Sequence, residues 1–316
     1  MTSAPPAIEV RNLAKRYGAV TAVDDVTFSV PMGRVAGFLG PNGAGKTTTM
    51  RIVLGLARAD GGEAFVLGRR YRSLDEPARS VGAALEITGF HPGRTARNHL
   101  RVAATQAGLP DPLPTARTAL ARVGLDEAGD RRVGGFSSGM RQRLALASAL
   151  VGDPSVLVLD EPSNGLDPAG VAWLRGFLRH FASQGGAVLI SSHLLAEVAQ
   201  TVDDLVVIDR GRLIASGPVE EIVGALGAAV VVRTPDAERF RATLEGRGAD
   251  VTVADDGCLT VGGMAVEAVG ELAAAEGVVL HELRRSGATL EEAFLRLTAG
   301  PPDPGEVQPP PPEGAT

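Results

Sequence analysis

The sequence predicts an α/β fold, a mixed and largely parallel sheet covered by helices, followed by a smaller α+β unit. Three observations predict it. Short apolar runs bounded by glycine alternate with stretches whose apolar residues recur at helical spacing, as in strands joined by crossover helices. A glycine-rich loop, Gly40 to Thr47, falls between one such strand and one such helix. After residue 226 the alternation changes to strand, helix, hairpin, helix, strand, helix.

Taken in order, residues 8–10 and 26–30 read as short strands. "VAGFLG" (35–40) reads as a buried strand and "TTMRIVLGLARA" (48–59) as a helix. "GGEAFVLG" (61–68) is a strand flanked by turn residues. From about 86 to 150 the text is helical and rich in Arg and Ala, with loop punctuation at "GLPDPLP" (108–114). "SVLVLDEP" (155–162) and "GGAVLISSH" (185–193) are buried strands. "DDLVVIDRGRLIASG" (203–217) predicts two strands turning at Arg210-Gly211. In the second unit "AAVVVRT" is a strand and "DAERFRATLEGRG" a helix. "ADVTVADDGCLTVGG" is a hairpin turning at Asp255-Asp256-Gly257. "AVEAVGELAAAEG" is a helix, "VVLHELRR" a strand and "TLEEAFLRLTAG" a last helix, with Thr289 and Glu292 as its capping box. This β-α-β-β-α-β order resembles a ferredoxin-like unit. The expected organisation is therefore 1–225, 226–299 and a disordered, proline-rich tail at 300–316.

Composition narrows the function. The 316 residues carry a net charge of −6, which argues against a general nucleic-acid binder. Cys258 is the one cysteine, so neither an intramolecular disulfide nor a zinc spacing is available, and a reducing compartment fits. The start "MTSAPPAIEV" lacks the features of a signal peptide. The longest apolar run, Ile222 to Val232, falls well short of the ~20 residues of a membrane helix. A chain that does not itself cross a bilayer is the expectation.

The loop carries the chemistry. Gly40-Pro41-Asn42-Gly43-Ala44-Gly45-Lys46-Thr47 fits the phosphate-loop pattern GxxxxGK[ST] in the strand–loop–helix setting it requires. Glycines let successive backbone N–H groups face phosphate oxygens, and the helix N-terminus adds its dipole. Lys46, one of two lysines in the chain, supplies a compact charge where the planar fork of arginine would not fit. Thr47 offers its hydroxyl to Mg²⁺, and Thr48 completes the set. The apolar strand of "SVLVLDEP" ends in Asp160, a candidate Mg²⁺ residue, and Glu161, a candidate general base.

With these motifs in place, residues 7–225 resemble the ATP-binding cassette (ABC) ATPases, a P-loop NTPase family. "FSSGMRQRLALASAL" (136–150) is similar to the family's signature motif, "SNGLDP" (163–168) to its D-loop and "ISSHLLAEV" (190–198) to the segment bearing its switch histidine, here His193. "RYG" (16–18) places Tyr17 as the aromatic on which adenine would stack. The resemblance implies ATP and Mg²⁺ as ligands, hydrolysis of ATP, and a homodimer that sandwiches two ATP molecules. Each would be held by Lys46 of one copy and by Ser137 and Gly139 of the other, with Asp167 acting across the interface. It also implies a separate integral-membrane permease, no nucleic-acid partner, and a cytoplasmic place against the inner face of the membrane.

Two positions depart from the family pattern. The signature reads Phe-Ser-Ser-Gly-Met where Leu-Ser-Gly-Gly-Gln is usual, and Glu86 stands where a glutamine is usual. Both departures, and "TLEEAFL", resemble the ATPase subunits of antibiotic and lantibiotic exporters, including the daunorubicin-resistance type. Glu86 is expected to reach Mg²⁺ or the attacking water, and the groove beside it and "TARNHL", Arg97 included, to receive a helix of the permease. Ribosome- or DNA-acting members fit poorly, since the chain has one cassette, no long heptad insertion and an acidic balance. An importer ATPase is the other transport alternative.

Overall fold

The computed structural model describes residues 5–85, 89–192, 201–225, 229–254 and 257–286. An antiparallel sheet of order β2-β1-β4 comes first, built from β1 (Ile8–Tyr17), β2 (Val20–Val30) and β4 (Gly61–Val66). The strands expected at 8–10 and 26–30 are only the ends of β1 and β2. Their middles break register, and Asn12 and Asp25 sit at positive φ. Asn12 Nδ2 donates to Asp25 Oδ1 (2.9 Å) and the Asn12 N–H to Thr27 Oγ1 (2.8 Å). Bulges of this kind destroy the two-residue alternation by which a strand is recognised.

The main sheet has the order β5-β6-β7-β3-β8-β9. β5 (Val81–Ala84), β6 (Val156–Leu159), β7 (Ala187–Ser192), β3 (Val35–Leu39) and β8 (Asp204–Asp209) are parallel, and β9 (Arg212–Pro218) closes the edge antiparallel. Arg210 and Gly211 both have positive φ, as a two-residue hairpin turn demands. β5 has no apolar alternation of its own. Gly82 lets it pass so close to the Ala149 carbonyl that a Cβ would collide.

Both faces of this sheet are covered, which is why its inner strands β3 and β6 are apolar throughout. Ala36, Phe38, Val156, Val158, Leu189 and Ile208 face one core, shared with the first sheet and α1 (Lys46–Val53). Val35, Leu39, Leu157, Leu159, Val188 and Val207 face the other. That core is shared with α3 (Ala96–Gln106), α4 (Pro112–Arg122), α5 (Ser138–Ala149) and α6 (Pro168–Ser183). A short α2 (Pro77–Ser80) precedes β5 and α7 (Val219–Ala225) follows β9. The helix expected at 48–59 stops at Val53. Gly55, at φ +65°, closes it with bonds from its own N–H to the Ile52 carbonyl and from the Leu56 N–H to the Arg51 carbonyl. The loop expected at 108–114 is shorter, because Pro112 is accommodated in the first turn of α4.

The second unit is a four-stranded antiparallel sheet of order β11-β12-β10-β13. Its strands are β10 (Ala229–Arg233), β11 (Asp250–Val253), β12 (Leu259–Gly262) and β13 (Glu282–Ser286), with α8 (Ala237–Gly246) and α9 (Val266–Ala275) as crossovers. Each crossover pair is split by one intervening strand, the arrangement of a ferredoxin-like unit. Phe240, Leu244, Val230, Val232, Leu259, Val261 and Val269 form its own core. The hairpin tip at 255–256, the helix expected at 289–300 and the tail lie outside the described residues. Among the described residues no helix is long and apolar enough to cross a membrane.

Candidate nucleotide site

The loop of residues 40–45 joins β3 at the centre of the main sheet to α1. It is wedged between two strands. A Cβ on Gly40 would collide with the Ile208 carbonyl of β8, and one on Gly45 with the Ala22 carbonyl of β2. Gly45 adopts φ +104°, a conformation costly to any other residue, and is the N-cap of α1. No side chain caps this helix and no acidic residue stands in its first turn, so its leading N–H groups are left for an anion.

Lys46 is buried (7% exposed). Its Nζ donates to the carbonyls of Gly40 (2.6 Å) and Pro41 (3.2 Å) and lies 4.0 Å from Glu161 Oε1. Burial pulls its pKa below the ordinary lysine value, while the charges of Glu161 and Asp160 act in the opposite sense.

β6 and β3 are separated by β7, and all three deliver residues to one end of the sheet. Thr47 Oγ1 donates to Asp160 Oδ2 at 2.6 Å. Ser191, on β7, donates to the other Asp160 oxygen and accepts the Glu161 N–H at 2.9 Å. Glu161 itself sits at φ +49°, a region that costs a non-glycine residue about 1–2 kcal/mol. The resulting cavity of about 260 Å³ is lined by Pro41–Thr48, Asp160, Glu161, Ala22 and Leu85. Ser191 was not anticipated from sequence. The signal was present in "LISS": two hydroxyls ending an otherwise apolar, fully buried strand.

A second cavity of about 720 Å³ opens elsewhere on the cassette. It is bordered by Ser137, Gly139 and Asp167, and shares no lining residue with the first. Ser137 is the N-cap of α5 and accepts the Met140 N–H (3.2 Å). Asp167 is the N-cap of α6 and accepts the Gly170 N–H (2.7 Å). Gly165 has φ +76°, and a Cβ there would collide with the Ser138 hydroxyl, so the loop before α6 passes close to the start of α5.

Tyr17 stands 52% exposed where β1 turns to β2, with Lys15 Nζ 5.2 Å from its ring centre, and does not line either cavity. Glu86 and His193 lie outside the described residues. Arg97 has a partner within the chain. Its guanidinium pairs with Asp130, and its backbone N–H donates to the Gly129 carbonyl (2.8 Å), so it ties α3 to the 126–132 loop. Reversing its charge would disturb that packing as well as any partner contact.

A family model for ABC transporters matches residues 23–164, and one for a domain of unknown function (DUF8746) matches 228–291. The chain is 38% identical over 217 residues to the bacitracin transport ATP-binding protein BcrA of Bacillus licheniformis, covering 68% of this chain and 71% of that one. It is 40% identical over 251 residues to the Nod factor export ATP-binding protein I of Burkholderia orbicola (77% and 81% covered). With the lantibiotic transport ATP-binding protein SrtF of Streptococcus pyogenes it shares 37% over 207 residues (66% and 89%). Among solved structures, an ATP-binding subunit of an ABC transporter superposes with a TM-score of 0.62 at 29% identity, covering 68% of this chain and 91% of that one. A dimeric post-hydrolysis cassette, MJ0796 bound to ADP and Pi, gives 0.61 at 19% identity (67% and 98%) and speaks for the fold alone.

Proposed function

The chain belongs to the ATP-binding proteins of ABC transporters, and from that premise we propose that it powers export of an antibiotic-like molecule through a separate membrane permease. It is an ATPase subunit; the partner, the cargo and the residue roles are our reading. One observation carries that reading furthest. A single chain has two anion-receiving faces, at Lys46 and at Ser137, that share no lining residue. Two copies facing head to tail would bring one of each to a single ATP, and two ATP molecules would be enclosed.

In that arrangement the loop N–H groups and Lys46 hold the β- and γ-phosphates. Thr47 and Asp160 offer only oxygen donors, which suits Mg²⁺. Bound there, Mg²⁺ would neutralise charge on the phosphate oxygens. Glu161, at the end of β6, takes a proton of the attacking water as its oxygen bonds the γ-phosphorus and the bond to the β,γ-bridging oxygen breaks, so that ADP leaves. Ser137, the Gly139 N–H and the N-terminal dipole of α5 bind the γ-phosphate of the facing copy. Asp167 acts across the interface, His193 contacts the γ-phosphate, Tyr17 stacks on adenine, and Glu86 lies between the nucleotide and the permease. The relatives that carry out bacitracin transport, lantibiotic transport and Nod factor export support this reading. Work with a separate permease would place the chain on the inner face of the membrane.

The test is capture from native membranes of a tagged Glu161→Gln chain with ATP and Mg²⁺. Co-purification of a protein with several membrane spans is expected. Recovery of ribosomal proteins or DNA, with no membrane partner, would overturn the export reading.

A further inference from the structure

The signature and D-loop helices start side by side, and their N-termini must arrive together at the nucleotide of a facing copy. The two helices share a core that includes Leu144 and Leu146 of α5 and Leu174 and Leu178 of α6. At the tips the loop before α6 passes so close to α5 that a Cβ on Gly165 would collide with the Ser138 hydroxyl, and one on Gly139 would touch Leu166. A polar contact lies deeper. The Arg143 guanidinium lies over the face of the Trp173 ring, 4.2 Å from its centre.

Arg143 is placed to serve as a spacer. It follows Gly139 by four residues and so lies on the same face of α5. One of its nitrogens donates to the Val123 carbonyl at the end of α4 (3.2 Å), which fixes the guanidinium from behind. It lines the 720 Å³ cavity together with Ser137, Gly139 and Asp167. Trp173 is held from its other side. It stacks on Phe177 (5.8 Å, 27°), which stacks on Phe181 (6.5 Å, 25°), so its ring plane is set by a ladder along α6. A planar guanidinium stacked on an aromatic face is attracted to it at a defined stacking distance.

We propose that Arg143 and Trp173 form a positioning pair that sets the spacing of the α5 and α6 N-termini, and with it the capacity of the Ser137–Asp167 face to receive the nucleotide held by a second copy. The proposal rests on the head-to-tail dimer reading above. Neither side chain takes part in the chemistry. The pair acts through Ser137, Gly139 and Asp167, and leaves the Lys46 face of the same chain untouched.

The test uses the full chain carrying Glu161→Gln. Two quantities are measured: binding of a fluorescent ATP analogue to the monomer at high dilution, and the ATP-dependent dimer dissociation constant. Trp173→Leu keeps apolar volume but removes the ring, and Trp173→Phe keeps a ring. With Leu the dimer dissociation constant is expected to rise about 10-fold, monomer binding staying within about two-fold, a window narrower than most single-contact effects. Phe is expected to restore most of the loss. Adding Arg143→Met to Trp173→Leu is expected to cost little more, because the pair acts as a unit. Equal dimerisation of the Leu variant and its parent would overturn the proposal, as would a parallel loss of monomer binding or a Phe variant no better than Leu. Failure of the parent itself to dimerise with ATP would instead overturn the dimer reading, and this proposal with it.

Discussion

The two faces proposed to meet a nucleotide are built by different means. The Lys46 face is charged, and its charges are anchored: Lys46 to two loop carbonyls, Asp160 to Thr47 and Ser191, Glu161 through its backbone to Ser191. The Ser137 face is the side-chain-capped starts of two helices, with Glu127 and Asp167 lining it beside Arg131 and Arg143. On the proposed function, the first would bind a nucleotide and act on it, and the second would recognise a nucleotide already bound by another copy. Mutation should then separate chemistry from assembly.

The sharpest separation is expected from Glu161→Gln. Turnover should fall at least ~10²-fold while ATP binding persists, since only the proton acceptor is lost. Steady-state phosphate release beside equilibrium ATP binding checks this, and near-normal turnover would sink the general-base assignment.

Lys46→Ala should strike the other function of the same face, abolishing measurable nucleotide binding. It also carries a pH signature. Because the folded pKa of Lys46 lies below its ordinary value of 10.5, the unfolded chain holds this proton more tightly. Lys46 therefore costs stability at lower pH, and the cost fades as pH rises from the lowered pKa toward 10.5. Urea unfolding without nucleotide should show a rise in stability across that window in the parent, and the Ala variant should lack that contribution. An identical profile in both would contradict the burial argument.

Ser191→Ala is a milder break on the same face. It removes the donor to Asp160 and leaves the Glu161 N–H without its partner, which should lower turnover about ten-fold at saturating ATP, the equivalent of about 1.4 kcal/mol. Ser191→Thr, which retains the hydroxyl, should recover part of it. Equal turnover in the Ala variant and the parent would remove Ser191 from the site.

The smallest effect is expected on the second face. Ser137→Ala deletes the cap of α5, worth about 1 kcal/mol, and should weaken ATP-dependent dimerisation while monomer nucleotide binding stays at the parental level. Sedimentation with and without ATP distinguishes the two. Loss of monomer binding would mean that the faces are not separate.

Much of the Lys46 face was legible because it is local. A phosphate cradle is made of consecutive backbone N–H groups, so its glycines and lysine must be consecutive in sequence, and Gly40 to Thr47 are. An apolar strand ending in Asp160-Glu161 is likewise a local pattern. The α5 signature segment and its cap are local too. The bulged middles of β1 and β2 were hidden because Asn12 and Asp25 interrupt the alternation, and β5 because Gly82 serves close packing rather than a pattern.

By itself, then, the sequence determined the motifs, the alternation of strand and helix, and the order in which the pieces come. Tertiary structure decided which pieces meet. Sheet order inserts β7 between β6 and β3, which brings Ser191 to Asp160 and Glu161 from thirty residues away. Packing paired Arg97 with Asp130, laid Arg143 on Trp173, and kept the two cavities apart. Periodicity reports only which face of an element is apolar, whereas these contacts depend on which apolar faces bury one another, a choice made by the whole chain at once.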